Sequence, residues 1–217
     1  MKVTTDSCLF GAWTAQQLRH LKSNHTILDI GSGSGLLSMM MAQQTAARIE
    51  GIEIQASDYE QSLENISQSP FAGQIRIYHA DVLNFPFQQP YDIIVSNPPF
   101  YEKDLKGSSS GKNIAHHDTG LQLDSLLKLV QKNLSSSAIL YLLLPAKRWE
   151  DVQQLISEQG LHVQELVWVC HSEKHAASRI MVKASLKTSA VAERNLYIYE
   201  DNAYSLEFQA LLSDYYL

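Results

Sequence analysis

Ser96-Asn97-Pro98-Pro99-Phe100 is the stretch of this sequence with the clearest chemistry. Two successive prolines fix their own φ, remove two N–H donors and hold the preceding residue extended, so the local carbonyls cannot be drawn into a helix. Asn97 then offers a side-chain oxygen and Pro98 a backbone oxygen. Together they can accept both hydrogens of a planar NH2 group, which pulls the nitrogen lone pair out of conjugation and readies it for alkylation. Phe100 adds a flat apolar face for a ring bearing that amine. An Asn-Pro turn is common by itself. Here it follows the apolar run Asp92-Ile93-Ile94-Val95-Ser96, and parallel α/β sheets place their ligands beyond the carboxyl ends of such strands.

A second constellation lies upstream. Leu28-Asp29-Ile30-Gly31-Ser32-Gly33-Ser34-Gly35 follows one strand-like run and opens a helical one. Glycines in such a turn permit φ > 0 and let a ligand approach bare backbone, while a helix start adds free N–H groups. Glu53 closes the next strand, 22 residues on from Gly31, where a carboxylate can accept both hydroxyls of a ribose. The spacing is G-x-G-x-G rather than the G-x-G-x-x-G of pyrophosphate binders. It resembles the first motif of class I methyltransferases, whose ligand carries a sulfonium and an amino acid in place of phosphate. Asp81 follows the third strand, as in that family, where such a residue contacts the adenine amine.

These residues need elements to hold them. The periodicity predicts strands at Thr26–Ile30, Arg48–Glu53, Gln74–Tyr78, Asp92–Ser96 and Ala138–Leu144. Between and before them it predicts helices at Ser7–Leu21, about Leu36–Thr45, about Gln55–Gln68 and Leu121–Asn133. Alternation of this kind implies a parallel, doubly wound sheet, because parallel neighbours need crossover connections. After a helix at Trp149–Gln159, His162–His171 and Ser178–Leu186 read as two strands joined by a short loop, so the sheet should end in an antiparallel pair. A short strand at Leu196–Tyr199 and a helix at Tyr204–Leu212 complete the chain.

The chain has 217 residues, 45% of them hydrophobic, enough for one domain over 1–217: an opening motif and helix (1–22), a Rossmann-like core (23–190) and a terminal strand and helix (191–217). No run of apolar residues reaches membrane-spanning length, and Met1-Lys2-Val3-Thr4-Thr5-Asp6 lacks the apolar stretch of a secretory signal. Cys8 and Cys170 stand far apart without ligand-like spacing. They read as reduced thiols of a cytoplasmic protein rather than a disulfide or a metal site. The net charge of −6 argues against generic nucleic-acid binding. Its distribution is uneven: residues 1–102 carry 5 basic and 10 acidic side chains, residues 103–217 carry 12 and 13. Two segments are locally basic, 103–117 (Lys103, Lys106, Lys112, His116, His117) and 171–187 (His171, Lys174, His175, Arg179, Lys183, Lys187). The pair His116-His117 lacks the two further ligands a zinc site needs.

Over nearly its whole length the sequence resembles the bacterial tRNA1(Val) adenine-37 N6-methyltransferases. The resemblance rests on Met1-Lys2-Val3-Thr4-Thr5-Asp6 running into Leu9-Phe10-Gly11-Ala12-Trp13, on Leu28–Leu37, on Glu64-Asn65-Ile66 with Gln68-Ser69-Pro70-Phe71, and on Ser96–Tyr101. The tail from Tyr204-Ser205 to Tyr215-Tyr216-Leu217 shares it. Members usually carry a short basic and aromatic segment ahead of the Lys-Val-x-Thr-Asp motif, whereas here the sequence opens inside that motif. His116-His117 stands where Arg-His would be expected.

The resemblance implies a Rossmann-like class I α/β fold: a seven-stranded, mostly parallel sheet with one antiparallel strand and helices on both faces. It implies methyl transfer from S-adenosylmethionine, leaving S-adenosylhomocysteine, to N6 of an adenine in a tRNA anticodon loop. The catalytic residues would be Asn97, Pro98, Pro99 and Phe100. The cofactor would be held by Thr5, Asp6, Asp29, Gly31, Ser32, Gly33, Gly35, Glu53, Asp81, Val82 and Asn97. Thr5 and Asp6 would help close that site, unless they serve as a helix cap. Phe100, Tyr101, Lys103, Lys106, Lys174 and Arg179 would meet the tRNA. A monomer without metal or membrane attachment is expected. The same Asn-Pro-Pro motif also occurs in enzymes that methylate release-factor glutamines and guanine N2 of rRNA. A scaffold that binds cofactor and RNA without catalysis is a further alternative.

Overall fold

The computed structural model describes residues 3–98 and 122–215. Ten strands are present among them: β1 (Thr26–Ile30), β2 (Arg48–Glu53), β3 (Ile75–His79), β4 (Tyr91–Ser96), β5 (Leu134–Pro145), β6 (His162–Cys170), β7 (Ala177–Ser185), β8 (Ala192–Tyr197), β9 (Tyr199–Glu200) and β10 (Ala203–Tyr204). The helices are α1 (Thr5–Gln17), α2 (Leu36–Gln44), α3 (Ala56–Ser67), α4 (Leu123–Asn133), α5 (Trp149–Glu158) and α6 (Leu206–Leu212). The main sheet runs β3-β2-β1-β4-β5-β7-β6-β8. Only β7 is antiparallel to its neighbours, β5 and β6, whereas β8 lies parallel to β6.

The order reverses between β1 and β4. From β1 the chain winds outward through β2 and β3, then returns to β4 on the other side of β1. Ligands of doubly wound sheets bind at such a reversal, because the two loops diverge there and leave a crevice. Alternate residues of the central strands enter separate cores. Ile27, Ile93, Val95 and Tyr141 pack with α1, α2 and α6; Leu28, Ile30, Ile94 and Leu140 pack with α4 and α5. Both faces are therefore covered, as expected for strands that are apolar throughout.

Among the described residues the sheet holds eight strands rather than the expected seven. The expected tail strand begins four residues earlier, at Ala192, and joins the edge of the sheet. Among residues 192–197 only Leu196 is buried, so the segment lacks an apolar alternation. It is held by main-chain pairing and by Trp168 Nε1–H donating to Glu193 at 2.7 Å. A charged edge strand of this kind suits an otherwise unpaired sheet border. The small β9–β10 hairpin also escaped the pattern. Its turn places Asp201 and Asn202 at φ 48° and 65°, a conformation that Asp and Asn tolerate better than most residues.

Helix α1 starts two residues before the expected Ser7. Thr4 caps it, accepting the Ser7 N–H on Oγ1 at 3.2 Å. That cap satisfies one of the free first-turn donors and draws Thr5 and Asp6 into the helix.

Candidate active site at the sheet reversal

The ends of β1 and β4 stand side by side. Ile30 is in register with Ser96 on one flank and with Ile52 on the other. Ser96 Oγ donates to the Ile30 carbonyl at 2.9 Å, tying the two strand ends together. The glycine turn and Asn97 therefore leave the sheet at adjacent points, although 66 residues separate Gly31 from Asn97.

Gly31, Gly33 and Gly35 all have positive φ, 72°, 55° and 79°. The turn is pinned from two sides: the Gly31 and Ser32 N–H groups donate to the Ile52 carbonyl at 2.9 and 3.2 Å, and Asn65 Nδ2 of α3 donates to the Ser34 carbonyl at 2.9 Å. A Cβ added at Gly31 would meet no atom within 4 Å. The turn thus presents bare backbone to open space, as close approach of a ligand requires. Gly51 has the opposite reason to be glycine: a Cβ there would lie 2.5 Å from Ile77 Cδ1 and 3.0 Å from Ser32 Cβ. The pattern of β2 gave no sign of this, because the clash is with residues distant in the chain.

Glu53 is buried at the end of β2. Its Oε2 accepts the Gly33 N–H and its Oε1 the Gln55 N–H, each at 2.8 Å. The carboxylate is thereby fixed beside the turn, with the second lone pair of each oxygen available to a diol. Asp29 is fully buried, and Ser38 Oγ donates to its Oδ2 at 2.7 Å. Asp29 Oδ1 and Ser32 Oγ are buried with no hydrogen-bond partner. Orphaned polar atoms of this kind beside an open turn are what a ligand with an ammonium or hydroxyl group would satisfy.

Burial lifts the Asp29 carboxyl from 3.8 to about 7; the Ser38 hydrogen bond opposes this and the Glu53 charge adds to it. The folded protein therefore holds a proton that the unfolded chain releases between about pH 4 and 7. Stability from this group is fully present below about pH 4 and is lost as pH rises to about 7, on the order of 4 kcal/mol in all. Urea unfolding of ligand-free protein from pH 4 to 8 should show this fall, and Asp29→Asn should flatten it. A wild-type profile no steeper than that of the variant would contradict the assignment.

Asp81 caps the short 3-10 turn Val82–Asn84, accepting from Leu83 N–H at 3.0 Å and Asn84 Nδ2 at 2.8 Å. Both of its carboxylate oxygens are thereby engaged within the turn. Val82 is buried in the core on the α4–α5 side. Asn97 is half-buried, and its Nδ2 donates to Ser7 Oγ of α1 at 3.1 Å, leaving Oδ1 as an acceptor. Pro98 behind it is buried. Pro99, Phe100, Tyr101, Lys103 and Lys106 lie outside the described residues, as do His116 and His117.

The opening segment reaches the same edge by a different route than expected. Thr5 is exposed on the first turn of α1. Asp6 forms an ion pair with Arg179 of β7, Oδ2 to Nε 3.1 Å. A presumed cofactor residue and a presumed tRNA residue thus meet each other and clamp α1 to the sheet. Lys174 is exposed in the loop between β6 and β7. Ser7 went unnoticed in the sequence. A serine two positions into a helix carries no signal until β4 is placed beside it.

Cys8 and Cys170 are buried and unbridged, and burial raises both thiols, which suits structural rather than reactive roles. Among the described residues no group of three or more His, Cys, Asp or Glu could hold a metal ion, and no helix is long and apolar enough to cross a membrane.

Residues 13–142 match the methyltransferase small domain family. A tRNA1(Val) (adenine(37)-N6)-methyltransferase from Dyadobacter fermentans is 34% identical, over all of this chain and 91% of its own. A protein of the same name from Actinobacillus pleuropneumoniae is also 34% identical, with the same coverage. The chain belongs to the tRNA1(Val) (adenine(37)-N6)-methyltransferase family. The fold agrees with that membership. A predicted O-methyltransferase from Agrobacterium tumefaciens superposes with a TM-score of 0.66 at 17% identity, covering 95% of each chain. A putative RNA methyltransferase from Pyrococcus horikoshii does so at 0.58 and 20% identity, over 81% of this chain and 80% of that one. The glycine turn, Glu53 and Asn97 thus stand at adjacent strand ends, and the Asp6–Arg179 pair ties α1 to β7 at the same edge of the sheet.

Proposed function

We propose that residues 1–217 act as one domain, a monomer in the cytoplasm, that methylates N6 of an unpaired adenine in a tRNA anticodon loop, A37 of tRNA1(Val). The carrying observation is that Asn97, its Oδ1 available, leaves β4 in register with the glycine turn leaving β1. The full-length likeness to enzymes named for that reaction supports the same reading.

The residues at the turn fit S-adenosylmethionine. Glu53 would accept the ribose hydroxyls, Asp29 Oδ1 and Ser32 Oγ would meet the amino-acid portion, and the bare backbone at Gly31 admits close contact. Bound there, this cofactor supplies an electrophilic methyl group whose sulfur departs with the bonding pair as a neutral thioether. Asn97 Oδ1 and the Pro98 carbonyl accept the two amine hydrogens and aim the nitrogen lone pair at that methyl. Phe100 stacks on the base. Once methylated, the nitrogen is cationic and loses one proton to water, so no strong base is needed. Alignment of this kind accounts for roughly 7–11 kcal/mol of a barrier in well-oriented pairs. An anticodon-loop base is already unpaired, so presenting it costs less than extruding one from a duplex.

The decisive experiment offers radiolabelled cofactor with total tRNA, release factor and rRNA separately. Label is expected in tRNA alone, released on digestion as N6-methyladenosine. Label in the release factor or in rRNA guanine would overturn the reading.

A protein of net charge −6 that holds a polyanion needs its positive charge gathered at the rim of the site. Lys103, Lys106, Lys174 and Arg179 are proposed to contact phosphates there. Because Arg179 also pairs with Asp6, the three lysines form the cleaner test. Their combined replacement by Ala should flatten the negative slope of log K against log salt by about one unit per contact without changing cofactor affinity. An unchanged slope would place the RNA elsewhere.

A further inference from the structure

We propose that Ser7 is a positioning residue for Asn97, holding its amide so that Oδ1 and not the NH2 group faces the incoming amine. The inference rests on the amine-methylating reading above. An asparagine amide is nearly symmetric in shape and opposite in function at its two ends, and a half-turn about its last torsion would set NH2 against NH2. Such a flip would convert an attractive site into a repulsive one, so something must set the orientation.

The Thr4–Ser7 cap can set it. Ser7 Oγ lies 3.1 Å from Asn97 Nδ2 and 2.9 Å from Thr4 Oγ1, and Thr4 Oγ1 also accepts the Ser7 N–H at 3.2 Å. Either hydroxyl can donate across the Thr4–Ser7 contact; when Ser7 gives its proton to Thr4, only lone pairs remain toward Asn97, and these accept N–H and repel C=O. The serine cannot drift, because α1 is anchored on three sides. Leu9, Phe10 and Trp13 are buried beneath it. Thr4 caps its first turn. Asp6, the residue before Ser7, is paired to Arg179 of β7. The opening segment of the chain is thus tied to the chemistry through the Asn97 amide as well as through any contact with cofactor.

The test combines kinetics and NMR on the full chain. In single-turnover methylation of tRNA, Ser7→Ala should slow the chemical step about tenfold, the loss of one hydrogen bond that orients a reacting group, while S-adenosylhomocysteine affinity stays within twofold. Ser7→Thr, which restores the hydroxyl, should recover most of the rate. In an Asn97→Ala background, Ser7→Ala should add almost nothing, since residues that act as a unit lose together. A wild-type rate in Ser7→Ala, or losses that multiply, would overturn the proposal, because a merely structural role would damage both backgrounds alike.

The second arm needs no substrate. The Asn97 side-chain NH2 signals, assigned by their disappearance in Asn97→Ala, should exchange with solvent several-fold faster in Ser7→Ala than in the wild type. Unchanged exchange would remove the contact. Failure of wild-type protein to methylate tRNA would instead overturn the substrate reading, and the NMR comparison would then decide Ser7 alone.

Discussion

Asn97→Ala is expected to reduce turnover by two orders of magnitude or more while S-adenosylhomocysteine affinity stays nearly unchanged. The split follows from where the side chain sits. Asn97 leaves β4 beside the glycine turn, and its one hydrogen bond among the described residues goes to Ser7, not to the turn or to Glu53. Its remaining polar atom, Oδ1, is an acceptor, and the amine it would receive belongs to the substrate. Losing one preorganised polar group at a reacting atom costs on the order of 3 kcal/mol in the transition state. Asn97→Asp is informative alongside it. It retains an acceptor but meets Ser7 with a carboxylate in place of an N–H, so the Ser7 hydroxyl must donate to it. Partial activity is expected there. Single-turnover rates measured with calorimetric affinities check both variants, and a wild-type rate in Asn97→Ala would rule out the amine-binding role.

Glu53→Ala should weaken S-adenosylhomocysteine binding by roughly 10²- to 10⁴-fold, at about 1.5–3 kcal/mol for each hydrogen bond to a charged acceptor, two being lost. The structure adds a second consequence. Glu53 receives the Gly33 and Gln55 N–H groups, each at 2.8 Å, so its removal also strands two backbone donors and loosens the turn. The melting temperature of ligand-free protein should fall as well. Glu53→Gln separates the two effects: it retains one oxygen but must turn an NH2 toward one of those donors. It should bind with intermediate affinity and melt between the other two. Calorimetry and thermal melting on all three proteins provide the comparison. Undiminished affinity in a folded Glu53→Ala protein would take Glu53 out of the site.

What the sequence determined by itself was every feature with a short-range cause. Proline geometry marked Asn97 and Pro98 as a pair of acceptors kept out of helical hydrogen bonding. Glycine spacing after an apolar run marked the turn at Gly31, Gly33 and Gly35, strand–helix alternation marked a parallel sheet, and the break in that alternation marked the antiparallel pair β6 and β7, although the sheet ends not on that pair but on β8, parallel to β6. Each follows from backbone sterics or from burial period within a few residues. Where local signals were weak, the reading failed in the same local way: β8 has one buried apolar residue, so its place at the edge of the sheet could not be seen.

Tertiary structure decided the pairings. Ile30 falls in register with Ser96, so the turn and Asn97 leave the sheet side by side. Gly51 must lack a side chain because Ser32 and Ile77 converge on it. Asp6 and Arg179, each assigned to a different ligand when read alone, spend charge on each other across 3.1 Å. Ser7 and Asn97 meet only because α1 packs back over the sheet with its first turn at the carboxyl edge. The physical reason is common to all four. A contact between residues far apart in the chain depends on sheet order and helix placement, which are set by how the whole chain buries its apolar faces and leave no trace in the residues that touch.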